Sequence, residues 1–150
     1  MNNSVSQELL KFLQKSPTAF HAVQQMKSEL LAVDFTELKE NQRWNIKCGK
    51  HYFVTRNDSS LIAFTIPENG IDKMHILTSH SDSPTFKIKE NPEIEVEKHY
   101  VKLNVEKYGG MLCAPWFDRP LSVAGRVIIK DKTNGQFTSK LVNIDRDLVM

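Results

Sequence analysis

The hydrophobic period of the chain changes partway along, and this constrains the fold more than any other feature. Val5, Leu9, Phe12 and Leu13 recur at three- and four-residue spacing, with Leu10 widening the stripe. Phe20, Val23, Met26 and Leu30 repeat that spacing after Ser16-Pro17. Both stretches read as amphipathic helices. Ser16 is the expected N-cap of the second helix, with Pro17 at its first helical position. Past Leu31 the pattern becomes that of strands. His51–Thr55 and Leu61–Ile66 are rich in aromatic and β-branched residues and flank the turn cluster Asn57-Asp58-Ser59, which predicts a β-hairpin. Two helices followed by strands predict a helix-plus-sheet arrangement.

Met74–Thr78 is short, apolar and bounded by turn residues, and predicts a third strand buried on both faces. From Ser83 to Lys98 the chain is rich in Pro and charge and reads as loops and short extended pieces. Val101, Leu103 and Val105 alternate with polar residues, as in a half-buried strand. Ser122–Lys130 and Phe137–Ile144 flank Asn134-Gly135, a strong signal for a second hairpin. A shift near Pro92 divides a helix-plus-sheet part, residues 1–92, from a β-rich part, residues 93–150. The last residues, Asp145 to Met150, run into apolar side chains without a cap, which predicts that the natural chain continues.

Composition narrows the function. Forty per cent of the 150 residues are hydrophobic and 25% charged, ordinary values for a soluble globular protein. A net charge of +2 argues against a nucleic-acid binder that relies on bulk charge. Met1-Asn2-Asn3-Ser4 lacks a signal-peptide pattern, and the apolar runs are too short to span a membrane. The expected compartment is the cytoplasm, and neither nucleic acid nor membrane is an expected partner. Cys48 and Cys113 stand far apart and read as two reduced thiols, with no support for a disulfide.

Ser79-His80-Ser81-Asp82-Ser83-Pro84 is the segment that suggests chemistry. It follows a predicted strand, and sites in open α/β sheets form at the carboxyl ends of strands. In extended backbone, residues two apart point to the same side. A neutral imidazole is a common zinc ligand, and a neighbouring carboxylate accepts the second ring N–H and fixes the tautomer. His80 as ligand and Asp82 as its orienting partner therefore form a coherent unit. The competing reading is an exposed loop histidine with Asp82 as a turn residue. His21, His51, His75 and His99 show no ligand spacing, and Ser79, Ser81 and Ser83 lack a nucleophile-elbow context. Trp116-Phe117-Asp118-Arg119-Pro120 fits either an interface anchor or a loop packed on its own domain with Asp118 and Arg119 paired locally.

Several of these segments together resemble the M18 metallo-aminopeptidases, the aspartyl aminopeptidase family. Ser16-Pro17-Thr18-Ala19-Phe20-His21-Ala22-Val23 resembles the family's opening motif, and Tyr52–Asn57 with Ser59–Phe64 resembles its next hairpin. His80-Ser81-Asp82-Ser83-Pro84 matches its H-[TS]-D-S-P motif. Tyr108-Gly109-Gly110, Trp116–Arg119 and Leu121–Val127 match the following β segment; Pro120 stands where many members have Asp. The resemblance covers nearly the whole chain, in order. It implies the start of a zinc-peptidase α/β catalytic domain, followed by the beginning of an inserted β-rich assembly domain used in dimerisation. It also implies a dinuclear Zn2+ enzyme that removes N-terminal residues, acidic ones in the best-known members, from peptide substrates, and that assembles as a homo-oligomer. By position, His80 becomes a zinc ligand and Asp82 its catalytic second partner. The family's bridging carboxylate, remaining ligands and general-base Glu fall beyond Met150, so the 150 residues alone are expected to be inactive.

Two rival readings stand beside the peptidase. One is a non-catalytic assembly or interaction module, acting through the β part around Trp116. The other is a soluble α/β domain that binds no metal.

Overall fold

A computed structural model describes residues 3–149. These form two compact units, one comprising the chain up to Asp82 together with Ser122–Arg146, the other Ser83–Leu121 with the residues after Arg146.

In the first unit, α1 (Asn3–Lys15) and α2 (Ala19–Ala32) confirm the two helical stripes. Their junction differs from expectation by two residues. The N-cap of α2 is Thr18, in extended conformation, with its hydroxyl accepting from the His21 N–H. Ser16 instead points a buried hydroxyl at no protein partner. The reason is local: Thr18, not Ser16, stands three residues before His21 and so reaches an orphan N–H of the first turn. The other end of α2 closes with Asp34 at φ +64° and the Phe35 N–H bonded to the Leu30 carbonyl, a left-handed C-terminal cap.

The sheet of this unit has the order β1 (Thr36–Leu38), β2 (His51–Arg56), β3 (Ser60–Thr65). The hairpin β2–β3 is antiparallel as expected, with Phe53 opposite Ala63. β1 pairs parallel to β2, Glu37 opposite Phe53. The core lies between α2 and this sheet: Ala22, Val23, Tyr52, Phe53, Val54 and Ile66 are buried, Phe53 completely. The Asn57-Asp58 turn has φ of +51° and +53°, a conformation these two residue types tolerate.

Met74–Thr78 is not a strand. The segment has no regular structure and no strand partner, and Ile76 and Leu77 are 72% and 99% exposed. A buried strand needs neighbours on both edges and cover on both faces, and no described residues supply them here.

The second unit is a ribbon of β4 (Thr85–Val96) and β5 (Tyr100–Tyr108), joined by a turn at Glu97-Lys98. The passage expected to be loops and short extended pieces is therefore mostly one long strand. It is interrupted by a bulge between Ile88 and Glu93 that contains Pro92, because proline removes a ladder donor and is accommodated at such irregularities. A short 3-10 turn, Ala114–Trp116, follows, with Trp116 edge-on to Phe86 at 5.5 Å.

β6 (Leu121–Lys130) and β7 (Phe137–Val149) form the second predicted hairpin. Gly135 sits at φ +70°, its N–H bonded to the Asp131 carbonyl, and the Asn134 carboxamide accepts from Gln136 N–H.

Candidate functional site

The His80–Asp82 segment lies in the irregular stretch between β3 and β4. Nδ1 of His80 stands 3.1 Å from Oδ1 of Asp82. The His80 side chain is 93% exposed and that of Asp82 33%. An ionised carboxylate can only accept, so in a neutral imidazole making this contact the proton sits on Nδ1 and Nε2 is the nitrogen with a lone pair. That is the tautomer and orientation in which a histidine ligates a metal while a carboxylate steadies it.

Ser81, between the two, turns to the hairpin. Its hydroxyl donates to the carbonyl of Ser59, at 3.1 Å, at the end of the β2–β3 turn. The same turn is gripped from β6: Nη1 of Arg126 donates to the Asn57 carbonyl at 2.8 Å and to its Oδ1 at 3.1 Å. The Arg126 guanidinium also lies 4.2 Å above the centre of the Phe20 ring, a cation–π contact. Sequence reading passed over Ser81 and Arg126, because their partners lie 22 and 69 positions away and no local pattern encodes such pairings.

Zinc coordination sets the limit of this arrangement. Zinc in proteins takes three or four protein donors. His80 and Asp82 fit one ligand and its orienting partner. Among the described residues no three His, Cys, Asp or Glu side chains gather as a metal-holding group. The donor chemistry fits a contribution to a zinc site rather than a whole one.

The other histidines have structural settings. His21 Nδ1 lies 2.8 Å from the Thr18 hydroxyl, and burial pushes its pKa down. His51 Nδ1 is 2.9 Å from the Thr65 hydroxyl, with its ring 5.0 Å from that of Phe35. His75 and His99 are exposed. Cys48 and Cys113 are both free thiols. Around Trp116, Arg119 and Asp118 approach to 3.8 Å, the local pairing, while Phe117 remains 75% exposed beside Phe86. No helix among the described residues is long and apolar enough to cross a membrane.

Comparison with known proteins fixes the family. Residues 12–150 match the family described as aminopeptidase I zinc metalloprotease (M18). The chain belongs to that M18 family. A probable M18 family aminopeptidase 2 of Clostridium novyi is 47% identical over 154 residues, covering 100% of this chain and 36% of that protein. A probable aspartyl aminopeptidase of Ricinus communis is 37% identical, covering 97% of this chain and 30% of its own. Among solved structures, the cryo-EM structure of the Ape4 and Nbr1 complex matches with a TM-score of 0.89 at 39% identity, over 95% of this chain and 27% of that one. The S. cerevisiae mApe1 dodecamer matches with a TM-score of 0.81 at 28% identity, over 95% of this chain and 34% of that one. The chain thus spans about a third of the length of the curated relatives it matches. The expected α/β fold at the N-terminal part of such a peptidase holds.

Proposed function

We propose that the protein acts as a zinc-dependent aminopeptidase that releases N-terminal residues, acidic ones among them, from peptides. Membership of the M18 family supports this reading, and the single structural observation that carries it is the His80–Asp82 contact on an imidazole side chain that is 93% exposed. In this reading His80 supplies one imidazole ligand to a two-zinc site, and Asp82 holds the proton on Nδ1. Zinc, when bound, lowers the pKa of its water and polarises the scissile carbonyl. The remaining donors and the base do not gather among the described residues. Residues 1–92 begin the catalytic domain and residues 93–150 the β-rich dimerisation domain.

The likeness to a dodecameric relative supports a homo-oligomer, and the cytoplasm is the compartment that fits the sequence. The test is hydrolysis of aminoacyl and acidic aminoacyl substrates by the protein expressed from its complete reading frame. Loss with a chelator and recovery with zinc is the expected result; chelator-insensitive hydrolysis, or none, overturns the proposal.

A second reading, a non-catalytic assembly module, draws support from the exposed Phe117 beside Trp116 and Phe86. Absent hydrolysis together with tight association with a complete M18 subunit is the outcome that favours it.

A further inference from the structure

We infer that the β2–β3 turn is the seat of the candidate metal ligand, with Ser81 as a positioning residue and Arg126 as the brace of the seat. The inference rests on the reading of His80 as a zinc ligand and adds residues to which that reading gives no role.

His80 is 93% exposed and lies in an irregular stretch of chain. Packing therefore does little to hold its backbone, yet a ligand must stay within about 0.5 Å of its working geometry. Asp82 orients the ring but sits on the same segment, so it cannot fix that segment against the rest of the molecule. Ser81 can. It stands between the two in sequence, and its hydroxyl donates to the Ser59 carbonyl, next to regular structure. The Ser59 N–H in turn bonds to the Arg56 carbonyl and closes the turn on the β2–β3 hairpin.

A turn makes a poor anchor if it can flex, and here it is clamped. Arg126 donates to both the backbone and the side chain of Asn57 and rests on the Phe20 ring of α2. Phe20 precedes Ala22 and Val23, both buried in the core. A continuous path of contacts therefore runs from the core helix through Arg126, Asn57 and Ser59 to Ser81. Lysine cannot replace arginine on this path, because a single ammonium lacks the planar fork that bonds and stacks at once.

The test uses the protein from its complete reading frame, with zinc affinity measured by competition against a chromogenic chelator. Kinetics and thermal transitions are recorded on the same samples. Ser81→Ala is expected to weaken zinc binding by about tenfold and to lower kcat, with KM within about twofold and Tm unchanged. Ser81→Thr keeps a hydroxyl and should restore zinc affinity. Arg126→Lys should weaken zinc binding in the same direction. Because both act through one turn, the double variant should lose less than the two single losses combined.

Wild-type zinc affinity in Ser81→Ala overturns the inference. So does full additivity in the double variant. If Ser81→Ala also lowers Tm, Ser81→Thr decides, since an equal loss of zinc there rules out the hydroxyl. His80→Ala separates the two levels. Unchanged zinc in His80→Ala defeats the ligand reading itself, whereas lost zinc there with normal Ser81→Ala defeats only the seat.

Discussion

Oδ1 of Asp82 lies 3.1 Å from Nδ1 of His80, on a ring that is 93% exposed. The carboxylate, rather than surrounding side chains, therefore sets the orientation of this imidazole. An exposed ring free of such a partner would sample several rotamers, with an entropy cost on ordering. The pairing selects one tautomer before any ligand arrives.

His80→Ala and Asp82→Asn should separate in the protein from the complete reading frame. His80→Ala is expected to lose zinc and hydrolysis together. Asp82→Asn should keep most of its zinc while activity falls by about 10–100-fold, the usual cost of losing a ligand's orienting partner. Metal analysis beside steady-state rates checks this; full zinc and full rate in His80→Ala would show that the ligand lies elsewhere.

The start of α2 gives a sharper contrast. Thr18 caps the helix, whereas Ser16 buries a hydroxyl with no protein partner. Thr18→Ala should cost about 1 kcal/mol. Ser16→Ala should be neutral or mildly stabilising, because it removes an unsatisfied buried group. Chemical denaturation of both variants tests the pair, and the reverse ranking would restore Ser16 as the cap.

Both helices and both tight hairpins were legible in the sequence, because their signals are local: helical spacing, β-branched runs, and Asn-Asp or Asn-Gly turns. β1 was not, since Thr36–Leu38 is three residues long and pairs in parallel with β2. The β4 sequence suggests loops and short extended pieces rather than one strand, because Lys87, Lys89, Glu90, Glu93 and Glu95 stand among its apolar residues. A two-stranded ribbon that is exposed over most of its length carries charge without penalty. The error at Met74–Thr78 is the converse: apolar β-branched composition expresses a preference for burial, but pairing requires partners. At the site, His-x-Asp was visible because its contact spans two residues, while the bonds of Ser81 and Arg126 join distant segments.

His21 adds a pH dependence. Burial depresses its pKa below the ordinary value of 6.5. A folded-state pKa below the unfolded one means that the neutral ring contributes stability above about pH 6.5, and that this contribution is lost as pH falls through the lower folded value. The Thr18 hydroxyl, 2.8 Å away, can donate to Nδ1 only while that nitrogen is unprotonated. The Tm of the wild type should fall as pH drops below 6.5 by more than that of His21→Gln. Parallel curves would show that His21 does not titrate with folding.

The exposed Met74–Thr78 segment predicts association of residues 1–150 when expressed alone. Burying a large apolar side chain is worth about 1.5–3 kcal/mol, and Met74, Ile76 and Leu77 all face solvent. Light scattering and dye binding should be high, and Ile76→Lys with Leu77→Lys should reduce both. A sharp, reversible, monomeric thermal transition of the unaltered 150 residues would contradict this.

The irregularity in β4 has a geometric consequence for the ribbon. Ile88 stands opposite Val105 and Glu93 opposite Leu103, so five steps along β4 match two along β5, an excess of three. An odd excess reverses the alternation of side chains. Phe86 and Ile88 project to one side with Val105, Leu103 and Val101, whereas Ile94 and Val96 project to the other, with Lys102 and Tyr100. One flank of the ribbon is thus apolar along its whole length, through Val105, Leu103 and Val101, whereas the other gains apolar side chains, Ile94, Val96 and Tyr100, only beyond the bulge, so the tip offers a greasy surface on both flanks and the base chiefly on one.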